Sequence, residues 1–170
     1  MPILKKAKKN TLPVTLITAD QFADWAKTQD TKTQNMMAAQ GFSGKARSIF
    51  SIYDDKGNLS EVIAGVKAKD KLYQLAHLPS ALPANKDGYV IKTEMNKADA
   101  TQAAIGLALG SYQFNRYKGD DVEPLQDIVM PKNADVAEVN AISKGITMIR
   151  DLINIPTSDM GPNDLEQAAR

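Results

Sequence analysis

The 170-residue chain contains one histidine, His77, and no cysteine. That pair of facts limits the chemistry at once. A nucleophile–base–orienting triad needs an imidazole, so it would have to use His77, and no Gly-x-Ser-x-Gly elbow accompanies it. His77 sits just before Pro79, where a lone histidine reads as a surface or capping residue. The lack of cysteine excludes disulfides, thiolate metal sites and cysteine nucleophiles. Asp54 and Asp55 are adjacent, as metal ligands sometimes are. Their setting, Asp54-Asp55-Lys56-Gly57-Asn58, is a turn, and aspartates favour turns because they hydrogen-bond their own backbone. The other acidic residues are scattered and nominate no carboxylate pair for acid–base work. Aromatic and basic residues alternate only in "YQFNRYKG", Tyr112–Gly119. Such a stretch could stack on a nucleotide; the simpler reading packs Tyr112 and leaves Arg116 and Lys118 facing water. Gly106 and Gly110 lie four apart in an apolar run, with no Lys-Ser/Thr after them. They predict close approach of a neighbouring element and no phosphate loop. From the residues themselves no catalytic, cofactor-binding or metal-ligating side chain is assigned.

The elements that would position any site are those of an ordinary globular chain, 43% hydrophobic and 24% charged with a net charge of +1. A balance so near neutral excludes a strong global field for nucleic acid. Four lysines fall within Met1–Asn10 (Lys5, Lys6, Lys8 and Lys9), which reads as a solvated, frayed tail or else a nucleic-acid-binding arm. No apolar stretch follows them as in a secretory signal, and no run approaches 18 apolar residues. The cytoplasm is the expected location.

Periodicity predicts a strand over Val14–Thr18 and an amphipathic helix in "ADQFADWAK", with Phe22, Trp25 and Ala26 on one face and Trp25 as a core anchor. A hairpin spans Ala46–Lys67 around the Asp54–Asn58 turn. A helix over Asp70–Leu78 is expected to end at Pro79. A strand follows at Gly88–Thr93, then a helix over Ala98–Phe114, a polar connector over Tyr117–Gln126 and a short strand over Asp127–Pro131. Val136, Val139, Ile142, Ile146, Ile149 and Ile153 recur at spacings of three and four, marking a long helix over Ala134–Ile153. Pro162 opens one more helix shortly before Arg170, with Asp164 and Glu166 near its positive end. Strands alternating with helices, plus one hairpin, predict an α/β fold with a mixed sheet.

Two segments resemble the cytosol (leucyl) aminopeptidase family. One is "RDLINIPTSDMGPNDLEQAAR", whose Arg150, Asp151, Leu152, Asn154, Pro156, Pro162 and Leu165 match the family's Arg-Asp-Leu-x-Asn-x-Pro run and the Pro-x-x-Leu helix that opens its catalytic domain. The other is "GLALGSYQFNRYK", similar to a small-residue helix ending in a Tyr-x-Phe-x-x-Tyr-Lys pattern at Tyr112, Phe114, Tyr117 and Lys118. Gly161 departs from the family, which usually has a capping threonine there. The resemblance implies a macro-domain-like mixed sheet flanked by helices, with a long C-terminal linker helix. It divides the chain into a flexible basic tail (1–10), a macro-like domain (11–131), a linker helix (132–155) and the truncated start of a catalytic domain (156–170). It further implies a hexameric parent enzyme that removes N-terminal amino acids from peptides. That parent would use two divalent metals (manganese, zinc or magnesium) to activate a bridging water. The family's metal-ligand motifs do not occur in these 170 residues, so the fragment is expected to be inactive and to hold no cofactor. Its partners are then its own catalytic domain, packed on the linker helix, and further copies. The alternative is a nucleotide- or DNA-binding module of macro-like fold, using Lys5–Lys9, Arg116 and Lys118, although no glycine-rich diphosphate loop is present.

Overall fold

The computed structural model describes residues 3–4, 7–119 and 122–169. Six strands are described: β1 (Ile3–Leu4), β2 (Leu12–Ile17), β3 (Ile49–Tyr53), β4 (Leu59–Gly65), β5 (Tyr89–Ile91) and β6 (Ile128–Val129). They form one sheet in the order β1-β6-β5-β2-β4-β3. All neighbours are parallel except β3, which pairs antiparallel with β4. The helices are α1 (Ala19–Lys27), α2 (Thr31–Ala39), α3 (Leu78–Ala81), α4 (Lys97–Gly110), α5 (Val136–Asn154) and α6 (Pro162–Ala169). This is the expected mixed α/β fold.

Strand alternation builds a core on each face of the sheet. Val62 and Ala64 of β4 join Val14, Tyr89, Leu75, Leu78 and Leu107 on one face. Ile63, between them in sequence, turns the other way and packs with Ile17, Met37, Phe42 and Phe50. Phe22 and Trp25 of α1 are half-buried against that second cluster, so Trp25 anchors the core as expected. Phe42 links its aromatic side, edge-on to Phe22 at 5.6 Å and stacked on Phe50 at 5.4 Å. A third cluster joins Ala104, Ile105 and Leu109 of α4 to Val139 and Ile146 of α5. α4 is therefore buried nearly all round, between the sheet and α5.

The termini of the helices carry the residues that satisfy free amide groups. The Asp30 carboxylate accepts from Thr33 N at 2.7 Å, and Asn96 accepts from Asp99 N at 2.9 Å. Asp135 accepts from Ala137 N and Glu138 N, both at 3.2 Å, and pairs with Lys97 at 2.9 Å. Gly161 offers no hydroxyl to accept an amide of the first turn, but the reciprocal half of a capping box is present, with the Asp164 carboxylate accepting the Gly161 N–H at 2.8 Å.

Two expectations need correction, and one helix lacks a sequence signal. Ile3–Leu4, placed in a frayed tail, pair with Ile128 and Val129, because two apolar residues add an edge to the parallel sheet. Lys8 is also engaged, donating to the Lys86 carbonyl at 3.2 Å, while Lys5 and Lys6 lie outside the described residues. The stretch after Asp70 is a series of turns, not a helix ended by Pro79. Pro79 instead sits in the first turn of α3, where its missing N–H is not needed. The turns arise where the chain crosses α4, with the Leu72 and Ala76 carbonyl oxygens lying against Gly106 and Gly110. The helix without a sequence signal is α2, whose mostly polar sequence buries only Thr33 and Met37.

Candidate functional site

The residues singled out by type do not converge on one site. Asp54 closes the β3–β4 turn: its carboxylate accepts from Lys56 N (2.9 Å), Asn58 N (2.8 Å) and Asn58 Nδ2 (3.0 Å). Those bonds, the Asn58 side chain's first, hold its pKa below the ordinary 3.8. Gly57 takes φ +80° in the same turn. Asp55 pairs with Lys32 at 2.9 Å. The two aspartates are thus turn and ion-pair residues.

His77 is half-buried, and its side chain caps nothing. It holds the N-cap position of α3 without a capping bond, and both ring nitrogens are buried with no hydrogen-bond partner among the described residues. It is drawn in by its neighbours Leu75 and Leu78, each 0% exposed. Burial, with the nearby Arg47 charge second, lowers its pKa below the ordinary 6.5. No nucleophile or carboxylate faces it through a hydrogen bond, so it has no triad partner. Tyr89 is shifted further. Burial first and Tyr53 second push its hydroxyl up to about 12, and it donates to the Pro83 carbonyl at 2.6 Å.

The two family-like segments do meet. Tyr112, just beyond α4, donates its hydroxyl to Asp151 Oδ1 at 2.8 Å and accepts from Asn154 Nδ2 at 3.0 Å. Arg150 donates to the Leu109 carbonyl at 2.9 Å, with its guanidinium 5.2 Å from the Tyr112 ring centre. Tyr117 donates to Asp159 Oδ2 at 2.6 Å, which lowers the Asp159 pKa. Residues 112–117 therefore clamp the end of α5 and the loop beyond it. Arg116 and Lys118 are exposed, with Arg116 over the Tyr117 ring at 5.7 Å. The partners in this junction are 39 to 42 residues apart, so no local pattern connects them. Their presence together in the two family-like segments was the available signal.

No three His, Asp or Glu side chains among the described residues converge as metal ligands. No reaction step is assigned to residues of this chain. No described helix is long and apolar enough to cross a membrane.

Residues 12–131 match the family model described as "M17 aminopeptidase, N-terminal domain". The probable cytosol aminopeptidase of Allorhizobium ampelinum is 28% identical over 192 residues, covering 98% of this chain and 37% of that protein. That of Roseiflexus castenholzii is also 28% identical, covering 76% of this chain and 32% of its own length. The chain thus spans about a third of the length of the curated relatives it matches. Among solved structures, the cytosol aminopeptidase of Coxiella burnetii superposes with a TM-score of 0.77 at 33% identity, covering 98% of this chain and 36% of that one. A tomato leucine aminopeptidase mutant shares the fold at 15% identity, with a TM-score of 0.64 over 95% of this chain and 40% of that one.

Proposed function

The chain belongs to the M17 aminopeptidase family, to whose N-terminal domain it corresponds. On that premise we propose that it is the non-catalytic part of a cytosol aminopeptidase that removes amino acids from the N-termini of peptides. The observation that carries this reading is the match to the Coxiella burnetii enzyme, which runs over 98% of the chain at 33% identity and so takes in α5 and α6 as well as the sheet. Residues 11–131 are the macro-like domain, 132–155 the linker helix and 156–170 the first part of the catalytic domain. The catalytic portion supplies two divalent metals (manganese, zinc or magnesium); a bottromycin maturation enzyme of the same fold has been solved with manganese. This chain's own residues act by positioning. Tyr112, Arg150 and Asn154 fix the direction in which the chain leaves α5, and the Tyr117–Asp159 bond fixes the loop before α6. Ile142, Ile149 and Ile153, exposed on α5, pack on the catalytic portion in the assembled enzyme, a hexamer as in the family.

The reading is tested by two measurements. The 170-residue chain, supplied with manganese, is expected to release no leucine from a leucyl peptide. The protein purified from its source cells is expected to have a mass well over twice the 18.5 kDa of this chain. Enzymatic release of leucine by the 170-residue chain, or a native mass of 18.5 kDa, would overturn the proposal.

A further inference from the structure

The sheet ends on one side at β3, and that edge is open. Gly65 N donates to the Ser48 carbonyl at 2.8 Å, and Asp54 N donates to the Asn58 carbonyl at 2.9 Å. Backbone groups of alternate residues in an antiparallel strand point the same way, so Ser48, Phe50, Ile52 and Asp54 face β4. The N–H and C=O groups of Ile49, Ser51 and Tyr53 face outward, where no further strand lies among the described residues. Natural sheets blunt such an edge with a charge, a proline, a bulge or a covering element. β3 reads Ile-Phe-Ser-Ile-Tyr, with neither charge nor proline. The irregularity beside Ile52 and Tyr53 leaves Ser60 of β4 as the extra residue, its hydroxyl donating to the Ile52 carbonyl at 3.0 Å. β3 itself runs unbroken from Ile49 to Tyr53.

This edge is complementary to itself. Lys45 and Arg47 precede β3 and Asp54 and Asp55 follow it, all of them exposed. Arg47 takes part in no ion pair among the described residues. The Asp55 side chain is 99% exposed and meets Lys32 through Oδ1. An antiparallel copy of β3 therefore lays its acidic end against the basic end of the first. With a two-fold axis at Ser51, Ser51 meets the partner's Ser51, Ile49 meets the partner's Tyr53, and Arg47 comes to the end that carries the partner's Asp55. All three outward residues then fall in pairs that exchange both backbone bonds. Moving the axis by one residue leaves one of them unpaired. The faces agree too. Ile49 packs on the Val14 side of the sheet, and Phe50 and Ile52 on the other. Ile49 stands beside the partner's Tyr53 on one face and Phe50 beside the partner's Ile52 on the other, so apolar side chains adjoin on both.

We propose that β3 is a docking edge for the β3 of a second copy of this chain, antiparallel and centred on Ser51. The inference stands independently of the aminopeptidase reading. A contact of five residues per strand falls short of the roughly 1,200 Å² of a stable complex, so the pair is transient in the isolated chain. It leaves the average mass near that of the monomer and persists where other contacts already hold copies together. Because the native chain has no cysteine, a single introduced thiol reports the pairing. The 170-residue chain carrying Ser51→Cys, with Ile149→Lys and Ile153→Lys to silence α5, is oxidised with copper phenanthroline. Residues facing each other in a hydrogen-bonded pair have Cα atoms about 5.5 Å apart, within reach of a disulfide. Tyr53→Cys in the same background sets the two thiols roughly 13 Å apart along the strands. Gln102→Cys, on the exposed surface of α4, gives the rate of random collision. Each rate is divided by that thiol's rate with a small soluble disulfide. Ser51→Cys is expected to form dimer about tenfold faster than either control, Arg47→Glu to slow it several-fold, and Asp55→Arg added to Arg47→Glu to restore it. The proposal is overturned if Tyr53→Cys matches Ser51→Cys, or if Arg47→Glu leaves the rate unchanged. It is equally overturned if Ser51→Cys is no faster than Gln102→Cys, the result expected of an edge that takes a strand of another protein or meets only water.

Discussion

A methyl group added at Gly110 would overlap the Ala76 carbonyl oxygen, and one at Gly106 would overlap the Leu72 carbonyl. Both contacts are to backbone, which cannot swing aside as a flexible side chain would. Alanine normally gains up to about 1 kcal/mol over glycine inside a helix. Here overpacking of about 1–3 kcal/mol or more opposes that gain, so Gly110→Ala is expected to be destabilising. Gly145 supplies the contrast: it lies in α5 with nothing near its absent Cβ. Gly145→Ala should stabilise by about 0.5–1 kcal/mol. Urea denaturation of the two variants should move the midpoint in opposite directions; a shared direction would contradict the packing described. His77 sets a pH dependence whose sign follows from burial. Its folded pKa lies below the ordinary 6.5, so the folded state binds fewer protons than the unfolded chain as pH falls through that range. The stability that neutral His77 provides is complete above pH 6.5 and is lost as pH falls toward its folded pKa. The lowered carboxyls of Asp30, Asp54, Asp135 and Asp159 titrate below 3.8, outside that window. Stability should therefore fall as pH drops below about 6.5 in the native chain, and His77→Gln should flatten that slope. An equal slope in both proteins would remove His77 as its cause.

At the scale of elements, α5 is tied to α4 by apolar contacts along its middle and by Tyr112 at its end. Replacing Tyr112 with phenylalanine keeps the ring under Arg150 but deletes the hydroxyl shared by Asp151 and Asn154. The expected loss is about 1 kcal/mol, the net value of a hydrogen bond, with faster amide exchange confined to the last turn of α5. Unchanged exchange at Asp151–Ile155 would show that the junction is held by packing instead. The same comparison explains what could be read from sequence. α5 was legible because its isoleucines and valines keep a helical period, and the β3–β4 hairpin because Asp54 and Gly57 suit its turn. The 71–77 segment keeps a helical period too, yet it forms turns where its Leu72 and Ala76 carbonyls lie against Gly106 and Gly110, a long-range contact that no local window encodes. α2 is not legible in sequence because most of its face meets solvent and its polar run hides the single buried methionine. The Tyr112–Asp151 and Tyr117–Asp159 pairs depend on where α5 docks, which no short window encodes, although both segments stood out by family resemblance.

On the scale of the whole molecule, α5 carries more apolar surface than α4 can cover. Val139, Ser143 and Ile146 face inward, while Ile142, Ile149 and Ile153, spaced by seven and four, form a second stripe along its flank. Ile149 is 53% exposed and Ile153 76%, and Leu165 on α6 is 51% exposed. Single exposed apolar residues are common on any soluble surface, but a row on one helix marks a contact face. In the proposed enzyme the catalytic portion covers this row. In the 170-residue chain nothing does, so the row should drive self-association as concentration rises. Light scattering should show the average mass climbing from 18.5 kDa toward twice that value. Replacing Ile149 and Ile153 together with lysine should hold the chain at the monomer mass without loss of stability, since neither side chain is buried. A wild-type chain that stays strictly monomeric at high concentration would mean that the stripe is too small to bind another surface. The catalytic portion would then have to dock elsewhere, through the Tyr112–Asp159 junction alone.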